Sequence, residues 1–289
     1  MRLVVFGGWG QLGSDIAIAA DRRHDLVRPR HAEVDVTDQA AVAGAVDAVK
    51  PDAVIDAAAF HKVELCESDP AQAFAVNAVA PLYVARAARA AGARTVFIST
   101  DYVFDGSSED GYREDDPVGP VNVYGISKVA GEAAVRLADP DAIVVRGSGL
   151  FGHAGSAGKG GNFVDNMLAK ARAGESLSIV DDQRLAPTAT RDMAERILLY
   201  LEVDVPAGIY HAANTGSTSW YGLARRAFEL AGVEADLTPR PTGDSPIRRP
   251  ATSILRDTKS AALGLPPNRS WEDALRWYLD ARPVPAAAR

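Results

Sequence analysis

The chain predicts an α/β fold, a doubly wound parallel sheet with a smaller mixed α/β lobe towards the C-terminus. Three observations carry that expectation. Through the first half, short apolar runs alternate with helix-patterned stretches. Where the first run ends, Gly7, Gly10 and Gly13 give the spacing Gly-x-x-Gly-x-x-Gly, just ahead of an Ala/Ile-rich helical pattern. Further on, Tyr124 and Lys128 stand four residues apart in another helical stretch, which puts them on one face.

Taken in order, residues 1–6 form a short apolar run suited to a buried parallel strand. Residues 25–28 read as a second strand and 33–36 as a third, with Thr37 and Asp38 placed to cap the next helix. Residues 53–59 read as a fourth strand, 71–91 as one long alanine-rich helix, 95–100 as a fifth strand and 142–146 as a sixth. Ligands of such a sheet lie beyond the carboxyl ends of its strands, where the glycine loop, Ala57, Ala58, Ala59 and Thr100 all fall. The second half is less regular. Residues 153–161 are glycine-rich and expected to be mobile, 162–172 read as a helix, 177–180 and 208–211 as strands, 239–250 as a proline-bearing loop and 273–279 as a final helix. The tail from Pro283 is expected to fray. The expected division is a dinucleotide-binding domain over 1–150 with return segments near 185–215, and a substrate lobe over 151–184 and 216–289.

Bulk properties narrow the partners. The 289 residues are 47% apolar and 24% charged, enough for a large core. With 31 basic against 38 acidic residues, net −7, neither nucleic acid nor an anionic membrane suits as main partner. Cys66 is the only cysteine, which excludes an intrachain disulfide and any cysteine-based zinc site. No leader is evident and no apolar run approaches the ~20 residues of a membrane span, so a cytoplasmic protein is expected.

The motifs carry specific chemistry. In the loop Gly7, Gly10, Gln11, Leu12, Gly13, the first glycine permits a tight turn, the second lets a pyrophosphate approach the backbone and the third lets helix pack on strand. The helix N-terminus then offers N–H groups and partial positive charge to phosphate. At the other motif, a free tyrosine hydroxyl titrates near ~10, and a nearby ammonium is expected to pull it down until it serves as a general acid or base.

Together the Gly7–Gly13 loop, Asp56-Ala57-Ala58-Ala59, the run Ser99-Thr100-Asp101-Tyr102-Val103-Phe104-Asp105-Gly106, Tyr124 with Lys128, Gly161-Asn162-Phe163, Asp182-Gln183, Ala186-Pro187-Thr188 and Arg249-Pro250-Ala251-Thr252-Ser253 resemble the extended short-chain dehydrogenase/reductase family. Within it they look most like the dTDP-4-dehydrorhamnose reductase group, over nearly the whole chain. The resemblance implies a Rossmann sheet and hydride delivery from a nicotinamide to the 4-keto carbon of a nucleotide-linked deoxysugar. Tyr124 would protonate the alkoxide, Lys128 would tune it and hold the ribose, and Thr100 would hold the sugar oxygen. Asp101-Tyr102 stand where 4,6-dehydratases carry Asp-Glu, which argues for reduction over dehydration.

For the cofactor, Arg28 and Arg30 follow the second strand, where an acid would suit NAD; they favour the 2′-phosphate of NADPH, with NADH as the alternative. Asp35 and Val36 match the pair bordering the adenine. For the substrate, Arg249 is the first candidate for the diphosphate and Arg248 the second. Asp101, Tyr102, Phe104, Asn162, Val180 and Gln183 match positions that border sugar or nucleotide. No metal is expected, although Asp15 matches an acid that holds magnesium at the dimer contact of some relatives. A homodimer is implied by the resemblance alone.

Three positions depart from the group. Gly149 stands where relatives carry a tryptophan lining the sugar pocket, which is expected to leave open space there. Residues 60–64 carry His61 and Lys62 in place of a small Thr-Ala type segment, and Leu185 replaces a usual glycine. These departures point to a sugar other than 4-dehydrorhamnose. Two other readings share the motifs: an epimerase with tightly held NAD, and a non-catalytic subunit resembling the regulatory subunit of methionine adenosyltransferase.

Overall fold

The computed structural model describes residues 1–154 and 161–281. The expectations for most of 153–161 and for the Pro283 tail therefore lie outside the described residues. The central strands are β1 (Arg2–Phe6), β2 (Asp25–Val27), β3 (Ala53–Asp56), β4 (Arg94–Thr100) and β5 (Ile143–Gly147), joined by Gly208–His211. Among the described residues they form a six-stranded, all-parallel sheet in the order Gly208–His211, β5, β4, β3, β1, β2. The order reverses between β1 and β3, so a crevice opens beyond their carboxyl ends. Gly7 and Ala57 follow those two ends.

Both faces of the sheet are covered, as the near-continuous apolar strands require. On one face, α1 (Gln11–Ala20) and Thr190–Glu202 pack Leu12, Ile16, Met193 and Ile197 onto Val5 and Ile55. On the other, α2 (Gln39–Val49) and Ala80–Ala90 bring Val42, Val46 and Val84 onto Val4, Phe6 and Val54. The helix Val123–Ala138 lies on the same side, with Val135 against Phe97 and Val144. Asp38 caps α2, accepting from the amides of Ala40 and Ala41 at 2.9 and 3.1 Å. In the C-terminal half, Phe163–Arg172, Trp220–Ala231 and Trp271–Asp280 share a second core around Leu168, Leu223 and Leu275. Leu177–Val180 pairs there with Leu237–Arg240 in parallel, so a strand occupies the start of the expected loop over 239–250.

Two expected elements differ. Residues 33–36 form no strand. The amides of Glu33 and Val34 bond back to the carbonyl of Arg30, the Glu33 carboxylate accepts from the Arg30 amide, and Asp35 accepts from Thr37. Local turns thus satisfy the backbone groups that a ladder would have used. The expected helix over 71–91 is broken into Pro70–Phe74, a π-turn over Ala75–Val79, and Ala80–Ala90. Pro81 has no N–H for the carbonyl four residues earlier, that of Asn77. This carbonyl faces Gly131 so closely that a Cβ there would lie 2.1 Å from it.

A buried ion pair fixes the Val123–Ala138 helix to the sheet. Arg146 on β5 donates to Glu132 from Nε at 2.8 Å and from Nη2 at 2.7 Å, and Ser99 on β4 donates to the same carboxylate at 2.5 Å. Arg146 is 1% exposed and Glu132 5%. Removing one partner leaves the other charge buried alone, at a cost of about 3–5 kcal/mol. Glu132→Ala should therefore lower unfolding stability by that amount in urea titration, whereas Glu229→Ala, at an exposed pair, should change it by about 1 kcal/mol or less.

Candidate active site

The glycine loop is shaped by contacts that exclude side chains. Gly7 adopts φ +70°, and a Cβ on it would sit 2.6 Å from the backbone of Ala57. A Cβ on Gly13 would lie 2.4 Å from the Gly7 carbonyl. Gly10 is different. Its φ of −77° suits any residue, and its Cβ would meet only the Gly7 carbonyl, at 3.3 Å. Its small size leaves room above the loop. No side chain caps α1 at Gly10, so the first amides of the helix are left for an outside acceptor. Gln11 reaches the Leu150 carbonyl at 3.3 Å, while its own Oε1 is buried without a partner. This cradle fits a dinucleotide pyrophosphate, with Leu12 in the core beneath it and Ala57, Ala58 and Ala59 across the crevice. Arg28 and Arg30 both lie over the Trp9 ring beside the loop. Asp35 is exposed and bound to Thr37, and Val36 is buried in the core, so only backbone at 36 is free to border a base.

Thr100 ends β4, and Tyr124 lies on the adjoining helix, started by Asn122, whose side chain accepts from the Gly125 amide at 2.8 Å. The Thr100 hydroxyl lies near enough to Tyr124 to draw its pKa down. Thr100 Oγ1 donates to Asp101 at 3.0 Å, and Ser148 donates to the other Asp101 oxygen at 2.7 Å. Lys128 is buried, donates to the Ile98 carbonyl at 2.6 Å and lies 4.0 Å from the Phe97 ring centre. Burial lowers its pKa to about 8, against the opposing pull of the Asp56 and Glu132 carboxylates. Burial raises Asp56 to about 6, with Lys128 opposing.

The expected direction at Tyr124 is reversed. Burial holds its hydroxyl well above the ordinary tyrosine range; the nearby Thr100 hydroxyl pulls it back and the Asp101 charge pushes it up. The Lys128 ammonium is directed to the Ile98 carbonyl.

The substrate candidates divide into two groups. Tyr102 packs edge-on to Tyr124 with ring centres 5.8 Å apart, and Arg249, whose positive charge draws the Tyr102 pKa down against burial, donates to the Glu64 carboxylate. Gln183 donates to Thr242 at 3.0 Å and so tethers the 241–250 segment beside half-buried Val180. Arg248 contributes its carbonyl to Asn122. Others are placed elsewhere. Phe104 is fully buried, stacked on Tyr112 at 4.1 Å, and serves the core. Asn162 is 5% exposed; it caps the Phe163–Arg172 helix and donates to Gly152 and Tyr278. Asp101 is buried beneath Thr100, where it orients that hydroxyl. Asp15 is buried and bonded by Thr190.

The space expected at Gly149 is filled. Gly149 adopts φ +53°, and a Cβ on it would lie 2.5 Å from Cδ1 of Leu185, which is 2% exposed. The two departures therefore compensate one another. A residue that sequence reasoning passed over is Asn77, fully buried, which exchanges hydrogen bonds with both backbone groups of Phe60 and donates to Ser127 at 3.0 Å. It braces the loop carrying His61 and Lys62 against the Tyr124 helix. Its signal was an amide side chain inside an alanine-rich stretch.

The Asp56–Lys128 pair sets a pH dependence. Asp56 binds its proton more tightly in the fold, so the stability it contributes at low pH is lost as pH rises towards about 6. Lys128 binds its proton more weakly in the fold, so stability grows as pH rises from about 8 towards the ordinary lysine range. Only between the two values are both groups charged. A pH profile of kcat/KM should therefore be bell-shaped with limbs near 6 and 8, and Lys128→Met should remove the alkaline limb.

A family profile described as RmlD substrate binding domain matches residues 1–283. The dTDP-4-dehydrorhamnose reductase of Streptomyces griseus is 41% identical, covering 98% of this chain and 97% of its own length. The spore coat polysaccharide biosynthesis protein SpsK of Bacillus subtilis is 36% identical over 97% of this chain and 98% of its own. Among solved structures, the dTDP-4-dehydrorhamnose reductase of Bacillus anthracis in complex with NADP superposes with a TM-score of 0.93 at 32% identity, over 97% of this chain and 99% of that one. With a profile match over nearly its whole length and relatives of this identity, the chain belongs to the RmlD substrate binding domain family.

Proposed function

We propose that this protein is an NADPH-dependent reductase of the 4-keto group of a dTDP-linked deoxysugar. The observation that carries the reading is the placement of Thr100 at the carboxyl end of β4 with Tyr124 and Lys128 on the adjoining helix, Lys128 Nζ lying 2.6 Å from the Ile98 carbonyl of that strand, in the same sheet as the glycine cradle at the ends of β1 and β3. Bound NADPH supplies the hydride. Burial keeps the Tyr124 hydroxyl protonated at neutral pH, so it is available to protonate the oxygen left by carbonyl reduction. Thr100 donates its hydroxyl hydrogen to Asp101 and accepts from the Tyr102 amide, which leaves one lone pair as an acceptor for the site. Lys128 places a positive charge under the tyrosine helix, balanced by Asp56.

The 1–150 segment with its return near 185–215 holds the cofactor in this reading, and 151–184 with 216–289 holds the sugar nucleotide. Arg249 grips the diphosphate, exchanging the Glu64 carboxylate for phosphate oxygens. The setting is cytoplasmic and the protein a homodimer; sedimentation as a monomer would remove the second of these.

NADPH consumption with enzymatically prepared dTDP-4-keto-6-deoxysugars tests the reading. Tyr124→Phe should lower kcat by about 10²–10⁴ with NADPH still bound. Absence of turnover by the unaltered protein with each such sugar would sink it. Arg249→Ala should raise KM for the sugar nucleotide about tenfold or more and change kcat far less, since a diphosphate contact is made equally in the ground and transition states.

A further inference from the structure

Trp9 sits inside the glycine loop, a place where a large exposed aromatic has no packing role. It is 48% exposed, yet it is tied down on several sides. Its Nε1 donates to the Arg28 carbonyl at 2.9 Å. The guanidinium carbon of Arg28 lies 4.2 Å from the ring centre, and that of Arg30 lies 3.8 Å from it. Arg28 in turn donates to the Gly8 carbonyl at 3.1 Å. Its stem crosses Gly8 so closely that a Cβ there would meet Arg28 Cγ at 2.7 Å. Arg30 is anchored through its amide, which donates to Glu33 at 2.8 Å.

Two guanidinium groups gathered on one ring repel each other. The negative face of the indole offsets that repulsion and lowers the entropy the arginines would otherwise lose on meeting an anion. The cluster stands at the carboxyl end of β2, beside the loop that receives the pyrophosphate, where a phosphate on the adenosine ribose falls. We infer that Trp9 is a positioning residue for cofactor choice: it holds Arg28 and Arg30 together as a preformed clamp for the 2′-phosphate of NADPH. Gly8 is the second part of the device, because its lack of a side chain lets the Arg28 stem lie across the loop.

The inference rests on the NADPH reading, and calorimetric binding of NADP+ and NAD+ separates the two. The unaltered protein should bind NADP+ more tightly. Trp9→Ala should weaken NADP+ about three- to thirtyfold, the range of a cation–π contact, and leave NAD+ within about twofold. Trp9→Phe keeps a ring face without the indole N–H and should recover part of the loss. Gly8→Ala should reproduce the selective loss by displacing Arg28. Equal weakening of both nucleotides in Trp9→Ala, with its melting temperature retained, would overturn the inference by making Trp9 a structural part of the loop. Unchanged or tighter NADP+ binding would overturn it as well. No preference for NADP+ in the unaltered protein would overturn the inference and the NADPH assignment together.

Discussion

The bidentate pair between Glu132 and Arg146 is the contact on which the site geometry depends. Tyr124 and Lys128 stand on the helix that carries Glu132, while Thr100 ends the strand that carries Ser99. Arg146 is on the next strand, and all three elements meet at one carboxylate. Such a pair gains little over apolar packing in stability, because desolvating two charges costs nearly what their attraction returns. Its directional bonds instead restrict how the helix can slide along the sheet. A tyrosine that must meet a carbonyl within hydrogen-bond distance needs that restriction more than it needs extra stability.

Burial governs the chemistry of the residues held in this way. Tyr124 keeps its proton because its charged form is poorly solvated, and Lys128 holds its own less tightly for the same reason. Asp56, at the end of β3, offsets part of the cost to the lysine. The acid and its cationic neighbour are therefore set by a shared low-dielectric pocket more than by direct contact with each other. Beneath Thr100, Asp101 accepts the threonine hydroxyl's hydrogen bond and is itself held by Ser148, so the orientation of one hydroxyl is backed by a buried chain of polar groups.

Parts of this were legible along the chain, and parts were not. Gly7, Gly13 and the Tyr124–Lys128 step are local signals, since each depends on residues within one loop or one helical turn. The misread third strand failed because alternation in 33–36 does not reveal that Glu33 and Asp35 satisfy the backbone locally. Phe104 and Asn162 stand within motifs matched to a ligand, yet each turns into the protein. The Gly149 and Leu185 departures looked like two separate changes to a pocket, whereas 36 residues of chain bring them into contact and one fills the space left by the other.

By itself the sequence determined the alternating α/β order, the phosphate-ready turn, the pairing of tyrosine and lysine on one helical face and the acidic, single-cysteine character of the chain. All of these arise from periodicity, backbone freedom and composition, which act over a few residues. Only the tertiary structure decided which way the Tyr124 hydroxyl is shifted, that Lys128 faces the Ile98 carbonyl, that Asn77 braces the His61 loop, and that Trp9 gathers two arginines. Those outcomes depend on desolvation and on contacts between distant segments, and neither exists until the sheet has brought the segments together.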